Sequence, residues 1–333
     1  MEALKVAEYL LVSALIFVVL ALLADIVVVT TRTSAKTRAR VKAGVSAGAA
    51  DRGVEVEVED KRASSPVVSA TTNTKSGDKL TASATQAAKR SKRGLPKGLA
   101  LYGTGFTFIA FTLVTVYLVL RMSMTGYGPF ANQHEFAVSF VWGILLAYLV
   151  TEYVFQVRAL SLMVLPIVAG LIVYALSLPV EVESLIPALQ NHLLLNLHIG
   201  FAILAYGAAA VSFGAAVFYL AYPWLSTKIR HLPARGLLDD IGYKAATVSF
   251  PMLTIAIVLG AVWANTAWGR YWGWDPKETA ALVTWLIYGA YLHARVTRGW
   301  RGNRSAWLLV LGFAAVLFTY FGNHFFGGLH SYA

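Results

Sequence analysis

The sequence contains no cysteine and few charged residues. Without cysteine, the 333-residue chain cannot form disulfides, zinc–thiolate sites or a thioether bond to a cofactor, so any cofactor must be held non-covalently. Charged residues make up only 14% of the chain, whereas 57% of its residues are hydrophobic. An ordinary soluble domain could not bury so large an apolar excess, which indicates a protein of the lipid bilayer.

Hydrophobic runs long enough to cross about 30 Å of hydrocarbon recur along the chain. They predict an all-α fold, a polytopic transmembrane helix bundle of about eight spans. The predicted spans are 8–29, 99–121, 138–156, 159–177, 197–222, 245–263, 279–296 and 305–325. The first run is too long for a cleaved signal peptide, so residues 1–30 are predicted to remain as an N-terminal transmembrane anchor.

Residues 31–98 separate this anchor from the other spans and differ from them in composition. The segment has no Phe, Trp or Tyr and carries 15 of the 28 Lys and Arg residues. Such a composition cannot build an apolar core, so the segment is predicted to be a disordered, basic linker in the cytoplasm. Residues 99–333 form the predicted membrane domain.

The positions of Lys and Arg predict the orientation of the spans. If the spans alternate, the linker and the loops after spans three, five and seven fall on one side, and these segments hold most of the basic residues. That side is predicted to be cytoplasmic, with both termini outside. The net charge of +11 would also suit nucleic acid, but these basic residues flank membrane segments, so lipid is the expected contact and nucleic acid is not.

The outward loop at residues 263–278, between spans six and seven, is the most unusual segment. It holds Trp263, Trp268, Tyr271, Trp272 and Trp274, and so contains four of the nine tryptophans of the chain. One or two such rings would suit an ordinary interfacial belt. Four within twelve residues, interleaved with glycine, favour a platform for a large, flat aromatic ligand.

Four charged residues of the same loop are further candidates for this binding site. Asp275 and Glu278 fit the N-cap and third position of a capping box, which is favoured over a direct ligand role. Arg270 and Lys277 lie on the side that has few cations, which suggests pairing with anionic groups such as haem propionates. Salt bridges to the two acids or to lipid phosphate are the alternative.

Three of the seven histidines are candidate iron ligands. His198 and His330 both reach the side that carries the tryptophans, so together they could ligate one haem iron above the aromatic platform. His293 lies about 22 Å along the helix from Glu278 and implies a second, inner haem position, for which this chain offers no convincing partner ligand. Three further histidines could assist, but each is more simply an ordinary interface residue: His134, His192 and His324. No special role is expected for His231, in the basic loop.

The loop resembles a known signature. The pattern Trp268-Gly-x-x-Trp272-x-Trp274-Asp275-x-x-Glu278 is similar to the "WWD" motif of haem-handling membrane proteins. The blocks around His293 (Tyr-Leu-His-Ala-Arg) and His330 (Gly-Leu-His-Ser-Tyr) resemble its flanking segments. Residues 102–333 therefore resemble the CcsA/ResC-type subunit of the system II cytochrome c synthase, a membrane holocytochrome c synthase of the haem lyase type.

This resemblance implies a function in cytochrome c biogenesis at the inner (plasma) membrane. The chain would move haem b across the membrane and present it outside for thioether attachment to the Cys-x-x-Cys-His segment of an apocytochrome c. His198 and His330 would be the outer axial ligands. His293 would help ligate the inner haem, with its partner histidine on a ResB-like subunit.

Two other functions remain open at this point. One is a haem exporter that delivers haem to a separate chaperone, and the other is a b-type electron-transfer cytochrome. The second usually buries histidine pairs inside a helical bundle, and the outward placement of His198 and His330 argues against it.

Overall fold

The computed structural model describes residues 2–31, 98–181, 189, 192–228, 232–322 and 325–330. The predicted linker at 31–98 lies outside these residues except for its two ends, Thr31 and Gly98. The described residues contain helices and no strands, which confirms the all-α prediction.

Eight α-helices make up the bundle within the described ranges. They are α1 (Glu2–Thr31), α2 (Leu99–Thr125), α3 (Gln133–Phe155), α4 (Ser161–Leu176), α5 (His192–Lys228), α6 (Arg235–Trp268), α7 (Pro276–Thr297) and α8 (Asn303–Phe321). Each corresponds to one predicted span, although the predicted spans 138–156, 159–177 and 305–325 run one to four residues past their helices. The largest differences are in α5 and α6, with 37 and 34 residues, or about 50–55 Å of helix. They extend beyond the apolar stretches because polar residues continue a helix outside the hydrocarbon layer.

Seven of these helices are long and apolar enough to cross a membrane. The exception is α7, which has 22 residues but carries Lys277, Glu278, His293 and Arg295. Its neighbours show that α7 nevertheless runs the length of the bundle. α7 begins just after the C-terminal end of α6, which lies beside His330. It ends just before the start of α8, where Asn303 contacts Arg235, the first residue of α6, at the opposite end of the bundle. The chain is therefore a multi-pass membrane protein.

Consecutive helices run antiparallel, so their ends gather at two levels. The start of α3 lies beside the ends of α2, α4 and α8, as shown by the contacts of Glu135 with Arg121 and of Gln133 with Tyr174 and Tyr320. The start of α5 lies beside the end of α6, where His198 stacks on Trp263, and the start of α7 lies beside the tail after α8, where Asp275 contacts His330. We call this the tryptophan end, because loop 269–275 lies there, and the opposite end the basic end. Eight described Lys and Arg residues belong to the basic half of the bundle: Arg158, Lys228, Arg235, Lys244, Arg295, Arg298, Arg301 and Arg304.

Small residues hold the core helices close together. A Cβ on Gly207 of α5 would collide with the backbone carbonyl of Gly143 in α3, so these two helices pack backbone against backbone. Such close approach is typical of membrane helices, whose association depends on packing rather than on exclusion of water. The tight contact fixes α5, and with it the histidine near its start.

Candidate functional site

An aromatic cavity opens at the tryptophan end, among α3, α5, α6, α7 and α8. It holds about 1200 Å³ of empty space, counted out to its open mouth. Most of its wall is apolar, and the polar groups on it are few. The predicted site residues that line it are Trp263, Trp268, Tyr271, Trp272, Lys277, Glu278, His198 and His330.

His198 is held in place by α6. Its ring Nδ1 donates a hydrogen bond to the carbonyl oxygen of Ala256, at 2.7 Å, and this oxygen cannot itself donate. The imidazole fits against α6 because residue 260 is glycine, since a Cβ there would lie 2.6 Å from His198 Cε1. The donor role of Nδ1 leaves Nε2 as the nitrogen that could coordinate a metal.

His330 is held by the start of α7, although it lies in the tail after α8. Its Nδ1 donates to Asp275 Oδ1 at 2.8 Å, and the backbone N–H of Leu329 donates to Asp275 Oδ2 at 2.6 Å. The ring meets Trp268 edge-on, with centroids 4.9 Å apart. Coordination by His330 would therefore also use Nε2.

The two imidazoles meet at one indole. His198 is nearly parallel to Trp263, with ring centroids 6.3 Å apart, and His330 lies 6.0 Å from the same indole. The two imidazole centroids are consequently no more than about 12 Å apart. The structure thus brings together two histidines from distant parts of the chain, at one end of the bundle and beside the tryptophans.

The tryptophans of the loop have different environments. Trp263 is 2% exposed and packs edge-on against Trp268, so the two form the inner wall of the cavity. Trp272 and Tyr271 also line it, although Tyr271 is largely exposed. Trp274, with a positive φ of 56° and an exposed fraction of 70%, packs against Trp272 and does not line the cavity.

Asp275 and Glu278 form the predicted capping box. The Asp275 side chain accepts from the backbone N–H of Lys277, and Glu278 accepts from the backbone N–H groups of Asp275 and Gly273. Burial works to raise the pKa of Asp275, but the hydrogen bonds from His330, Lys277 and Leu329 outweigh it and lower that pKa to about 2. The carboxylate that holds His330 is therefore ionised near neutral pH.

The two cations of the loop occupy different positions. Lys277 lines the cavity, with its ammonium 5.3 Å from the centre of the Phe136 ring. Arg270 is exposed outside the lining and folds over Gly273, where a Cβ would lie 3.0 Å from its Nε. Among the described residues, no carboxylate lies within salt-bridge distance of either cation.

The other two histidines with described side chains, His293 and His134, do not line this cavity. His293 is exposed on α7, about 22 Å of helix away from Glu278. His134 is buried and structural, because its Nε2 meets the Tyr117 hydroxyl at 2.5 Å and its Nδ1 meets the Ala175 carbonyl at 2.7 Å. His231, His324 and the side chain of His192 lie outside the described residues.

Several lining residues have no recognisable signal in the sequence. Phe136, Tyr206 and Tyr320 complete the cavity, and each resembles any other aromatic residue of a membrane helix. Gly260 and Gly328 create space for a contact from a distant segment. Only Gly328 stands out in the sequence, since it belongs to the Gly-Leu-His block around His330. Its contact with Asp275 is known only from the structure.

Known proteins resemble this chain in both sequence and fold. The family described as "Cytochrome C assembly protein" matches residues 106–330. The "Cytochrome c biogenesis protein CcsA" of Guillardia theta is 37% identical over 262 residues, which cover 71% of this chain and 87% of that protein. The protein of the same name from Microcystis aeruginosa is 35% identical over 289 residues, with 70% and 88% covered.

One solved structure has a similar fold. It is named "Cytochrome c Heme Lyase CcmF" and superposes with a TM-score of 0.54 at 18% sequence identity. The match covers 96% of this chain but only 47% of that protein, so this chain spans about half its length. At this identity the likeness concerns the fold alone.

Proposed function

The chain belongs to the cytochrome c assembly protein family, and on that premise we propose that its aromatic cavity binds haem and presents it to an apocytochrome c. The proposed protein is the haem-handling subunit of a system II cytochrome c synthase. Its ligand is haem b, and His198 and His330 are the axial ligands. The convergence of these two imidazoles on Trp263 carries the proposal.

The hydrogen bonds of the two histidines support a ligand role. Nδ1 of His198 faces the Ala256 carbonyl, and Nδ1 of His330 faces the Asp275 carboxylate. Metal-bound histidines commonly donate their second ring nitrogen in this way, which fixes the tautomer and the ring orientation. His134 lacks this arrangement, because both of its nitrogens are engaged within the bundle.

The walls of the cavity suit the rest of a porphyrin. Trp263, Trp268, Trp272 and Tyr271 offer flat faces and edges to an aromatic macrocycle. Lys277 offers a cation inside the cavity, and we assign it to a propionate of the haem. Arg270, at the exposed rim, would attract the second propionate as the haem enters. Trp274 and Asp275 shape the loop from outside the lining, whereas Glu278 lines the cavity and holds the loop through the backbone N–H groups of Gly273 and Asp275.

The chemistry proposed at this site requires no nucleophile from the chain. The two thiols belong to the Cys-x-x-Cys-His segment of the client, and each adds across one vinyl group of the haem. Each S–H bond breaks, sulfur bonds to one vinyl carbon and hydrogen to the other, so the addition consumes no oxidant. The chain contributes binding, orientation and exclusion of side reactions. Its lack of cysteine prevents thioether formation with itself.

An inner haem position involves His293 and a second protein. His293 is exposed on α7, and so is Leu286, one heptad earlier on the same face. An imidazole facing lipid is costly, and such residues normally face a protein or a polar cavity. We assign this face to a ResB-like subunit that supplies the second axial ligand. Together the two proteins would move haem from the inner to the outer position.

The charge distribution supports an orientation for this transport. The basic end carries eight of the described Lys and Arg residues, whereas those of the tryptophan end are Lys5, Arg121, Arg270 and Lys277. Cytoplasmic loops carry the excess of Lys and Arg. The cavity would then face outward from the inner (plasma) membrane, where apocytochromes c are matured.

Purification of the chain with its partner tests the ligand assignment. We expect His198→Ala and His330→Ala to lose the bis-histidine visible spectrum of the outer haem and to abolish cytochrome c maturation. Added imidazole should restore part of both, because it can replace a missing ligand. His293→Ala should instead lower the total haem content and leave the outer spectrum in place.

Three results would overturn this proposal. Normal maturation and an unchanged spectrum in both outer variants would remove His198 and His330 as ligands. Unchanged haem content in His293→Ala would remove the inner site. Haem that is bound by two histidines but never transferred to a Cys-x-x-Cys-His peptide would indicate an electron-transfer cytochrome.

A further inference from the structure

The Asp275 side chain makes more contacts than a helix cap requires. A cap needs one bond, and the backbone N–H of Lys277 supplies it, at 2.9 Å to Oδ1. The same carboxylate also accepts from the backbone N–H of Leu329 and from His330 Nδ1. These two donors are more than fifty residues away in the sequence, so the carboxylate joins the start of α7 to the tail after α8.

Gly328 makes this junction possible. A Cβ at residue 328 would collide with Asp275 Oδ2 and would lie 2.9 Å from Pro276 Cδ. The tail can therefore reach the carboxylate only because residue 328 has no side chain. The preceding Gly327 differs, because a Cβ there would meet no atom within 4 Å.

We propose that Asp275 is the positioning residue for His330, and that Gly328 lets the tail reach it, so that His330 is presented to the haem at a fixed orientation. This proposal rests on the proposed function, since it takes His330 as an axial ligand. It gives the aspartate of the tryptophan-rich loop a specific task, which is to orient a ligand without touching haem.

The proposal makes the two axial ligands unequal. His198 Nδ1 donates to a neutral carbonyl, whereas His330 Nδ1 donates to a carboxylate. A carboxylate acceptor increases the electron donation of a ligating imidazole and favours the oxidised iron. Loss of the carboxylate charge should therefore shift the midpoint potential of the outer haem to a more positive value.

Two adjacent glycines provide a matched test of the positioning role. Gly328→Ala should weaken the binding of added haemin to the haem-free complex by about tenfold to a hundredfold, as is usual when the second contact of a metal ligand is lost. Gly327→Ala should bind haemin as the wild type does. Added imidazole should restore binding in Gly328→Ala, as we also expect for His330→Ala, because imidazole can replace a misplaced ligand but cannot repair a misfolded protein.

A second variant tests the charge of the carboxylate. Asn caps helices as well as Asp does, so Asp275→Asn should keep α7 intact while it replaces the anionic acceptor of His330. We expect a positive shift of the midpoint potential and weaker haemin binding. Glu278→Gln removes a carboxylate of the same capping box that does not touch His330, and it should produce the smaller shift.

The outcomes separate the positioning role from the ligand assignment. If His330→Ala loses the bis-histidine spectrum but Gly328→Ala and Asp275→Asn bind haemin with wild-type affinity and potential, Asp275 is only a helix cap. An equal potential shift in Glu278→Gln and Asp275→Asn would also refute the specific contact. If His330→Ala keeps the spectrum, the proposed function itself fails.

Discussion

The basic end of the bundle and the cavity at its opposite end hold charged side chains in different ways. At the basic end, Arg295 pairs with Asp239 at 2.6 Å, and Arg158 pairs with Glu152 at 3.2 Å. At the tryptophan end, Lys277 reaches into the cavity and lies over the Phe136 ring, with no carboxylate of the described residues close enough for an ion pair. Two cations of the basic end thus have carboxylate partners within the protein, whereas the cavity lysine has none among the described residues.

The difference follows from the cost of removing charge from water. A buried charge is tolerated when a hydrogen-bonded opposite charge compensates for its lost hydration. Arg158 and Arg295 meet that condition, and so does Arg121 in the wall of the other end, so removal of one partner from such a pair should be destabilising. A cation over an aromatic ring gains only part of this compensation. An anionic ligand such as a haem propionate would supply the rest.

Breaking an internal pair should have the largest effect. Arg121 and Glu135 form a fully buried pair at 2.7 Å in the wall of the tryptophan end, outside the cavity lining. Arg121→Met leaves a buried carboxylate unpaired and should destabilise the protein by about 3–5 kcal/mol. Thermal unfolding in detergent measures this loss.

The double variant is the control for this pair. Arg121→Met together with Glu135→Leu removes both charges and should recover much of the lost stability. If the single variant unfolds at the wild-type temperature, the Arg121–Glu135 pair makes no measurable contribution to the stability of the fold.

A change beside His198 should affect haem binding more than stability. Gly260→Ala places a Cβ 2.6 Å from His198 Cε1 and should displace the imidazole or break its bond to Ala256. We expect haemin affinity to fall by about tenfold or more. Titration of the haem-free complex measures it.

Gly236→Ala tests the same substitution in the same helix. A Cβ there meets no atom within 4 Å, so haemin affinity should stay at the wild-type value. Equal haemin affinity in the two glycine variants would mean that the fit of His198 against α6 is irrelevant to the site.

Removal of the cavity cation should have the smallest effect. Lys277→Met should weaken haemin binding by about tenfold, or 1–2 kcal/mol, while the haem-free protein remains equally stable or gains stability, because a poorly paired charge is removed. Lys277→Arg should bind nearly as the wild type does.

The dimethyl ester of the haem identifies the group that Lys277 contacts. The wild type should prefer free haemin to its dimethyl ester, and Lys277→Met should lose much of this preference. An unchanged preference in Lys277→Met would place the propionates elsewhere.

The helices and the capping box were predictable because their signals are local. Apolar runs of membrane length identified the eight helices, and Asp275-Pro-Lys-Glu278 identified the box at the start of α7. The ends of α5 and α6 were predicted several residues short, because hydropathy reports where lipid begins and not where a helix ends.

The inward or outward direction of each side chain was not predictable. The tryptophans of the loop look alike in sequence, yet Trp263 is buried in the wall and Trp274 is exposed. Likewise, nothing around His134 distinguishes it from His198, but a tyrosine hydroxyl engages the remaining ring nitrogen of His134. These differences arise from neighbours on other helices.

Composition and periodicity were sufficient to establish a helical membrane protein with a tryptophan-rich loop between its sixth and seventh helices. Both are properties of contiguous residues, which the bilayer converts directly into helices. The pairing of Asp275 with His330, and the shared contact of His198 and His330 with Trp263, depend instead on how the helices pack. Packing joins segments more than fifty residues apart, and no local pattern encodes which of them will meet.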